Sequence, residues 1–418
     1  MAKRKFNIAI MLAFAFLINP IILGNYSLYC YGLVYGTSLL YTLINVGKLM
    51  PYIRKLPLSI FTIIAWTVVA LTISVILPTV YGTFDYAYVD VVLAIYRRAL
   101  ICITLIMLVS ATSPQDQIVE NFMIYYVNAN VMYIFSTLIF MLFPAFKNTW
   151  MNVLSLSNIY RQILLSYGYG GRFGWAGFAG FRNTIDCTLS IVFLTYLFGG
   201  KKSISIKQYV PYALICFVGN MLYGRVGTVA SAICLLVGLT LYRKIEIKFI
   251  IQAMLSVLVA VVFIFYLRVH IETVDQWYHW VSTPFINLIR TGSFNNYSAD
   301  HLLNDMIFMP EPKTFWFGDA RYVDPVTRSY YMHTDAGFMR QILFWGVILT
   351  AIMYGFWLFS ILRMKRDMVF KLMCLAMCII LEVKGETYYE LLPLFTVIAA
   401  IDKMSTHSKS ISEYMVYE

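Results

Sequence analysis

The sequence predicts an all-α, polytopic membrane protein that forms one integral membrane domain, residues 1–418. Of its 418 residues, 60% are hydrophobic and only 13% are charged, and the mean hydropathy is +0.72. Soluble globular domains are about 45–50% apolar and about 25% charged. A span needs roughly 20 apolar residues to cross about 30 Å of hydrocarbon, so the chain has room for about a dozen spans and a few loops.

Apolar segments recur along the whole chain and predict about twelve transmembrane helices. The first follows the basic start MAKRK without the small-residue pattern of a cleavage site, so we expect it to be retained as a span. The segments cover approximately residues 6–23, 27–47, 59–81, 90–111, 123–145, 183–199, 208–223, 226–242, 249–267, 336–362, 368–382 and 388–401.

Charge on the short connections predicts the side on which each span ends. The stretches KLMPYIRK, GGKKSISIK, RKIEIK and RMKRD are basic, and all lie on the side of the N-terminal KRK if the spans alternate. By the positive-inside rule that side is cytoplasmic, and both termini are cytoplasmic too. The opposite, outer face then carries two long loops, residues 146–182 and 268–335. The second loop contains apolar patterns of short helices, one of which Ser298 would cap.

Cysteine and acidic residues give no sign of a metal site. All seven cysteines fall in apolar runs and form no C-x-x-C pair, so we predict neither a disulfide framework nor a zinc site. The outer-loop acids show no metal-ligand spacing. The sequence therefore predicts no metal and no other cofactor, and it indicates membrane lipid rather than nucleic acid as a partner.

Arginine is unusually frequent on the predicted outer face. Charge at that end of a span opposes insertion, whereas a guanidinium offers a fixed bidentate fork for phosphate, so outward arginines predict an anionic ligand. The alternative is pairing with outer-loop acids such as Asp300, Asp305, Asp319 and Asp324. The arginines concerned are Arg161, Arg172, Arg182, Arg225, Arg268, Arg290, Arg321, Arg328 and Arg340.

The stretch GYGGRFGWAGFAGFRNT, residues 168–184, interleaves glycine with aromatic residues between two arginines. Glycines let the backbone approach a ligand, aromatic rings offer flat faces for sugars, and arginines bind phosphate. Arg172 and Arg182 are therefore candidates for phosphate binding, and Trp175 is one for sugar binding. The alternative is a glycine-rich re-entrant or interfacial turn that packs on aromatic anchors.

The stretch YGRVGTVASAICLLVG, residues 223–238, places Arg225 between two predicted spans. An arginine beside the first turn of a helix adds its charge to the positive end of the helix dipole and to free N–H groups, which together form an anion site. The alternative is that Gly227-x-x-x-Ser231 forms only a close helix-packing face. Both interpretations are compatible.

Two adjacent arginines, Arg97 and Arg98, lie about a third of the way into the fourth predicted span. Intramembrane charge costs at least about 2.5 kcal/mol on insertion scales, so it normally faces a partner or a polar cavity. Neighbouring helical residues point about 100° apart, so we expect one arginine to reach the interface and the other to face inward. The inward one is a candidate for a functional residue.

The stretch SYYMHTDAGFMRQILFWG, residues 329–346, places three ionisable groups before an apolar segment. If Thr334 caps the tenth span, His333 lies just outside it and Arg340 follows below at helical spacing. A histidine there titrates near neutral pH and suits a general base that takes a proton from a sugar hydroxyl. Asp335 either orients it or is itself the base. The alternative is an interfacial histidine beside a helix cap.

Further aromatic and charged residues complete the predicted site. Tyr322 and Tyr331, in and after WFGDARY, are candidates for sugar binding together with Trp175. The stretch LEVKGETYYE, residues 381–390, places several charges between two short spans. We predict that Glu382, Lys384, Glu386 and Glu390 pair among themselves or with Arg97 or Arg340, in a structural more than a catalytic role.

The order of these motifs resembles the O-antigen polymerase (Wzy) family, which is related to the O-antigen ligases and to peptidoglycan glycosyltransferases of the SEDS type. GGRFGWAGFAGFRNT precedes a span, and YGRVGTVAS lies between spans. WFGDARY stands near the end of the long loop, before HTDAGFMRQILFWG and LEVKGETYY. The likeness covers most of the chain in order.

The resemblance implies a GT-C-like fold in the bacterial inner membrane, with the active site on the periplasmic face. The implied reaction, without metal, transfers a growing glycan from undecaprenyl diphosphate onto an incoming lipid-linked repeat unit, and a chain-length regulator is an expected kind of protein partner. Carried onto this sequence, the loop arginines of the family correspond to Arg172 or Arg182, its interspan arginine to Arg225 and the ligase histidine to His333. The further candidates for binding the diphosphate are Arg97, Arg98 and Arg340. The ligases have an asparagine soon after that histidine, whereas Asp335 follows Thr334 here.

Two other functions fit the same composition. A transporter or flippase for lipid-linked glycans also needs cationic cavities, and it often has two related halves with broken helices, of which the sequence shows no sign. An O-antigen ligase would join the glycan to the lipid A core. The departure at Thr334 and Asp335 favours the polymerase over the ligase.

Overall fold

The computed structural model describes residues 7–47, 58–156, 161–162, 164, 172–243, 246–291 and 300–414, and these are almost entirely α-helical. Within them the only sheet is an antiparallel hairpin of two short strands, β1 (Phe173–Gly174) and β2 (Gly177–Phe178). The helices in chain order are α1 (Ile8–Ile18), α2 (Ser27–Ile44), α3 (Leu58–Val80), α4 (Ala87–Ser110), α5 (Ile118–Leu142), α6 (Pro144–Val153), α7 (Phe181–Thr195), α8 (Ile206–Tyr223), α9 (Arg225–Leu241), α10 (Ile247–His270), α11 (Glu272–Thr291), α12 (Pro312–Phe317), α13 (Gly337–Arg363), α14 (Met368–Glu382) and α15 (Tyr388–Tyr414).

Short polar side chains begin several of these helices. The Asn7 side chain accepts hydrogen bonds from the first amides of α1, and Asp367 accepts one from the Phe370 amide of α14. Ser205 and Gln208 form a reciprocal capping box at the start of α8. Such caps satisfy amides that have no partner inside the helix, which matters most where lipid offers none.

Five helical segments in the described part of the chain are long and apolar enough to cross a membrane. This agrees with the prediction of an α-helical membrane protein, while the count of about twelve spans stays a prediction. Helices α7, α9 and α14 have 15, 17 and 15 residues, and at 1.5 Å per residue they are shorter than roughly 30 Å of hydrocarbon. The five segments are Ile60–Val80, Ala87–Ser110, Gln115–Leu142, Phe249–His270 and Gly337–Arg363.

The chain forms two compact units, each of which is assembled from separated stretches. The first consists of Met1–Tyr41, Thr104–Gly292 and Leu372–Met377. The second consists of Thr42–Ile103, Ser293–Lys371 and Cys378–Glu418. In the first unit α7 is buried along its length and packs against α5, α8 and α9, so it forms the centre of that unit. In the second unit α13 packs against α3, α12 and α15.

The long loop from residue 268 to 335 differs in part from its prediction. Helix α11 covers the first apolar pattern, DQWYHWVSTPFINLIR, and in the described part of the second, SADHLLNDMIFM, residues Leu302–Met306 form a π-helical turn. Ser298, its predicted cap, lies outside the described residues, as do Gly170 and Gly171 in the other long loop. Thr334 is not the cap of the tenth predicted span, because its hydroxyl bonds the amide of Ala336 and the carbonyl of Met306, and α13 begins at Gly337.

Candidate functional site

Arg225 begins helix α9 in the first unit, at the position that the sequence predicted for an anion site. The extended residue Gly224 precedes it, and the Arg225 guanidinium carbon lies 4.4 Å from the centre of the Trp280 ring. Two hydroxyls beside this helix start, those of Thr184 and Thr228, are buried and have no hydrogen-bond partner among the described residues. A helix N-terminus, a cation and two buried donors together can bind an anionic ligand.

The same helix start is also a close packing face. A Cβ atom on Gly227 would lie 2.2 Å from the Asn220 side-chain oxygen and 2.3 Å from the Thr184 methyl group. Asn220 in turn donates to the Ser231 hydroxyl at 2.7 Å. The structure is therefore consistent with both an anion site and a helix-packing face in this stretch. Packing requires glycine at position 227, and the hydroxyls of Thr184 and Thr228, unpartnered among the described residues, lie at the same helix start.

The glycine-rich motif forms the β1–β2 hairpin and leads into α7. Its tryptophan and second arginine contact the C-terminal end of α1: the Trp175 indole N–H donates to the Asn19 carbonyl, and an Arg182 nitrogen donates to the Ile18 carbonyl, both at 2.8 Å. A cation at this negative end of a helix dipole is stabilising. These contacts support the alternative interpretation of an anchored turn. The phosphate- and sugar-binding roles of Arg172, Arg182 and Trp175 stay predictions.

Arg340 lies in the second unit, in the first turn of α13, between two tyrosine rings. Its guanidinium carbon is 4.1 Å from the centre of the Tyr322 ring and 3.7 Å from that of Tyr330. The Arg340 side chain is buried and forms an ion pair of 2.9 Å with Glu386, whereas Tyr330 is exposed. The Arg340 Nε atom has no hydrogen-bond partner in the described ranges. The exposed Tyr330 ring offers a face for a sugar, and the guanidinium beneath it offers a positive charge for a neighbouring phosphate.

Glu386 is the acceptor at the centre of a buried hydrogen-bond network. Besides Arg340, it accepts from the Tyr322 hydroxyl and, at 2.5 Å, from the side-chain nitrogen of Gln341. The side-chain oxygen of Gln341 in turn accepts from the Tyr88 hydroxyl. Burial raises the pKa of Glu386, while the Arg340 guanidinium acts in the opposite direction. Burial and the neighbouring Glu386 raise the pKa of Tyr322, which keeps this hydroxyl a donor. The network holds Arg340 in one position.

Helix α13 is broken at Gly346, and the loop before it is docked into the break. Gly346 has φ 76° and ψ 165°, which is not helical. The carbonyls of Leu343 and Phe344 accept from the amides of Asp319 at 2.7 Å and Ala320 at 3.3 Å. These amides replace the helical donors that the break removes, which a polar backbone in lipid requires. The position of the loop from residue 318 to 331 is thus set by α13.

His333 and Asp335 lie just before α13, as the sequence predicted. The His333 amide donates to the Tyr330 carbonyl, and its ring nitrogen Nδ1 lies 3.3 Å from the Ser329 hydroxyl. Asp335 forms an ion pair with Lys384, with Nζ–O distances of 2.7 and 2.9 Å. The exposed His333 is therefore the more accessible of the two base candidates, while Asp335 has a cationic partner. The Tyr331 hydroxyl donates to Asp319 at 3.1 Å.

A tight turn at Asp324 shapes the outer edge of this loop. Hydrogen bonds from the Thr327 and Val326 amides, with that of Thr327 the largest effect, hold the pKa of Asp324 below its ordinary value. A depressed pKa means that the stabilisation is present above the unfolded-state pKa of about 3.9 and is lost as pH falls through the folded-state value. We expect the carboxyl resonance of Asp324 in carbon-13 NMR, assigned with Asp324→Asn, to titrate below the range of exposed aspartates. Titration at about 3.9 or above would contradict this.

Arg97 and Arg98 diverge as helical geometry requires. Arg98 is 5% exposed and forms an ion pair with Glu390 at 3.1 Å, whereas Arg97 donates to the Asp90 carbonyl near the start of α4. The ion pair of Glu386 with Arg340 is one of the predicted pairings, whereas Glu390 pairs with Arg98 instead of Arg97 and Lys384 pairs with Asp335. Glu382 accepts from the Thr387 amide and the Tyr354 hydroxyl. A diphosphate-binding role for Arg97, Arg98 or Arg340 stays a prediction.

Sequence reasoning missed the residues that organise this region. Asp85 accepts from the amides of Tyr322 and Val323 at 2.7 and 2.8 Å, and so fastens the loop to the start of α4. Its signal in the sequence is the short acidic stretch TFDYAYVD, residues 83–90, which connects the third and fourth predicted spans on the predicted outer side. Gln341 gave no signal beyond its place in an apolar helix. Among the described residues, no group of three or more His, Cys, Asp or Glu could hold a metal ion.

No family model matches this chain, and neither a curated protein nor a solved structure is significantly similar to it.

Proposed function

We propose that the protein is a membrane glycosyltransferase that polymerises a lipid-linked glycan, as its motif order suggests. The donor is a growing glycan on undecaprenyl diphosphate, and the acceptor is an incoming lipid-linked repeat unit. In this proposal about twelve spans form a GT-C-like fold in the bacterial inner membrane, with both termini in the cytoplasm. Residues 146–182 and 268–335 then lie on the periplasmic face, where a chain-length regulator could bind.

The start of α9 carries this proposal. It combines the Arg225 guanidinium and the helix N-terminus with the hydroxyls of Thr184 and Thr228. These two hydroxyls are buried and have no hydrogen-bond partner among the described residues. All of these are hydrogen-bond donors or positive groups. In the proposed glycan transfer, the diphosphate of the lipid carrier is the negatively charged group that such donors would bind. Trp280 at the Arg225 guanidinium adds an aromatic surface of the kind that sugars contact.

The reaction follows from these groups. Departure of the lipid diphosphate from the anomeric carbon builds negative charge on the leaving oxygen, which preorganised donors stabilise. Removal of one such donor costs about 10²–10³ in rate. In the second unit, the candidate base for the proton of the acceptor hydroxyl is His333, or Asp335 if it is released from Lys384, and a positioned base contributes about 10²–10⁴. Tyr322, Tyr331 and the exposed Tyr330 ring are the candidate sugar contacts at Arg340.

The test is polymer formation by the purified protein with a lipid-linked repeat unit. We expect a ladder of lengthened glycans, a loss of about 10²–10³ in rate for Arg225→Ala, and a loss of about 10²–10⁴ for His333→Ala. Arg243→Ala, an exposed arginine on the predicted cytoplasmic side, is the matched control and should leave the rate unchanged. Asp335→Asn decides between the two base candidates.

Two outcomes would contradict the proposal in different ways. Polymer formed equally well by Arg225→Ala and His333→Ala would remove both site assignments. No polymer, with transfer of glycan to a lipid A core acceptor instead, would identify an O-antigen ligase. The melting temperature of each variant separates loss of chemistry from loss of folding.

A flippase for the same lipid-linked glycan is a second candidate, and the break in α13 favours it. Discontinuous helices commonly form the binding sites of transporters, and Gly346 divides α13 into two pieces. The amides of the 318–331 loop occupy the break, which resembles a fixed support more than a moving half-helix. Movement of the lipid across liposomes without lengthening of the glycan would select the flippase.

A further inference from the structure

A cavity in the first unit lies on the side that the basic loops assign to the cytoplasm, and none of its lining residues belongs to the proposed active site. Its volume is about 480 Å³, within the roughly 300–1,000 Å³ of known ligand sites. Ile124, Leu197 and Ile204 line it together with further apolar residues, and Asn128, Gln208 and Tyr212 supply its polar wall.

The cavity wall offers no charge to a buried ligand group. The Tyr212 hydroxyl donates to the Asn128 side-chain oxygen at 2.9 Å, so these two polar groups satisfy each other. A charged group inside would therefore lose its hydration without compensation, which is strongly unfavourable. The occupant must place an apolar portion in the cavity and keep any charge outside it.

Basic residues lie close in the chain to the residues that line the cavity. Lys201 forms an ion pair of 3.2 Å with Glu120, which lies one helical turn before the lining residue Ile124. Lys202 and Lys207 are exposed, and both lie within a few residues of the lining residues Ile204 and Gln208. Helix α8 begins at Ile206, so the positive end of its dipole lies within one turn of the lining residue Gln208. Anionic groups are thus favoured at the mouth of an apolar cavity.

We infer that this cavity binds an anionic glycerophospholipid, with an acyl chain inside and the phosphate at Lys202 and Lys207. Lipids of the cytoplasmic leaflet carry this combination of apolar tail and negative head group, and basic residues at the surface attract them. A zwitterionic lipid would fill the cavity but gain little from the lysines. The inference concerns a site separate from the proposed active site and does not depend on the proposed function.

The experiment is native mass spectrometry of the purified full chain with added phosphatidylglycerol, phosphatidylcholine or undecaprenyl phosphate. We expect the wild type to bind phosphatidylglycerol more tightly than the other two lipids. Each of the variants Lys202→Gln and Lys207→Gln should bind phosphatidylglycerol about fivefold more weakly than the wild type does. Ile204→Trp fills the cavity and should abolish this binding, and Met11→Trp on another wall repeats the test if that variant fails to fold. Lys201 is left in place, because its removal would leave the buried Glu120 without this partner.

Matched controls are Lys371→Gln, a lysine in the first turn of α14, and Ile251→Trp, on the exposed surface of α10. Both should retain wild-type binding. The inference is overturned if Ile204→Trp and Met11→Trp fold and still bind phosphatidylglycerol, or if the two lysine variants bind it as wild type does. Equal binding of phosphatidylcholine, or tighter binding of undecaprenyl phosphate, would also overturn it.

Discussion

Replacing Glu386 by alanine is expected to destabilise the protein by about 3–5 kcal/mol, because it leaves the buried Arg340 guanidinium without its counterion. The Arg340 and Glu386 side chains are 8% and 2% exposed, so water cannot replace the lost carboxylate. The same change removes the acceptor for the Tyr322 hydroxyl and the Gln341 amide. Thermal unfolding in detergent measures the loss.

A double variant separates the ion pair from simple packing. Removing both charges together, as in Arg340→Met with Glu386→Leu, should cost less than Glu386→Ala alone, because no buried charge then lacks a partner. Glu311→Ala, an exposed glutamate of the same unit, is the control and should leave the melting temperature unchanged. A Glu386→Ala variant as stable as Glu311→Ala would contradict the role assigned to this ion pair.

Replacing Gly346 by alanine is expected to disrupt both the break in α13 and the docking of the loop. The backbone conformation at φ 76° and ψ 165° costs an L-residue about 1–3 kcal/mol. In addition, the new Cβ atom would lie 2.2 Å from the Trp316 carbonyl oxygen, so the loop must move. We expect a lower melting temperature and faster proteolysis between residues 316 and 331.

Gly355→Ala is the matched control, because it changes the same residue type in the same helix. A Cβ atom on Gly355 meets nothing within 4 Å, and alanine is favoured over glycine in a regular helix. Unchanged or slightly higher stability is therefore expected. If Gly346→Ala behaved like Gly355→Ala, the docking of the loop at the break would not be needed for stability.

The membrane class and part of the charge pairing in the second unit were accessible from the sequence for simple physical reasons. Composition alone requires an apolar solvent, and adjacent helical residues must diverge, which gave one buried and one outward arginine at Arg98 and Arg97. Buried charges need counterions, which predicted the pairing of Glu386 with Arg340. The neighbourhood of His333, Tyr331 and Arg340 followed from their closeness in the chain.

The remaining features depend on contacts between distant parts of the chain. In the sequence, Gly346 is an ordinary small residue in an apolar helix. The break there depends on the backbone of residues 316–320, which docks against it. Thr334 is a residue type that often caps helices, yet its hydroxyl donates to the Met306 carbonyl. Sequence spacing does not show this contact. Asp85 and Gln341 gain their roles from tyrosines more than 200 residues away.

Every step of the proposed chemistry requires the loop around His333 to face the periplasm, and cysteine labelling in intact cells tests this directly. Six of the seven native cysteines are buried, and Cys30→Ser removes the seventh. Val326 is 87% exposed in that loop, and Lys207 is an exposed residue of a predicted cytoplasmic connection. A thiol reagent that cannot cross the inner membrane should label Val326→Cys and spare Lys207→Cys until the cells are lysed. Labelling of Lys207→Cys alone in intact cells would contradict the account.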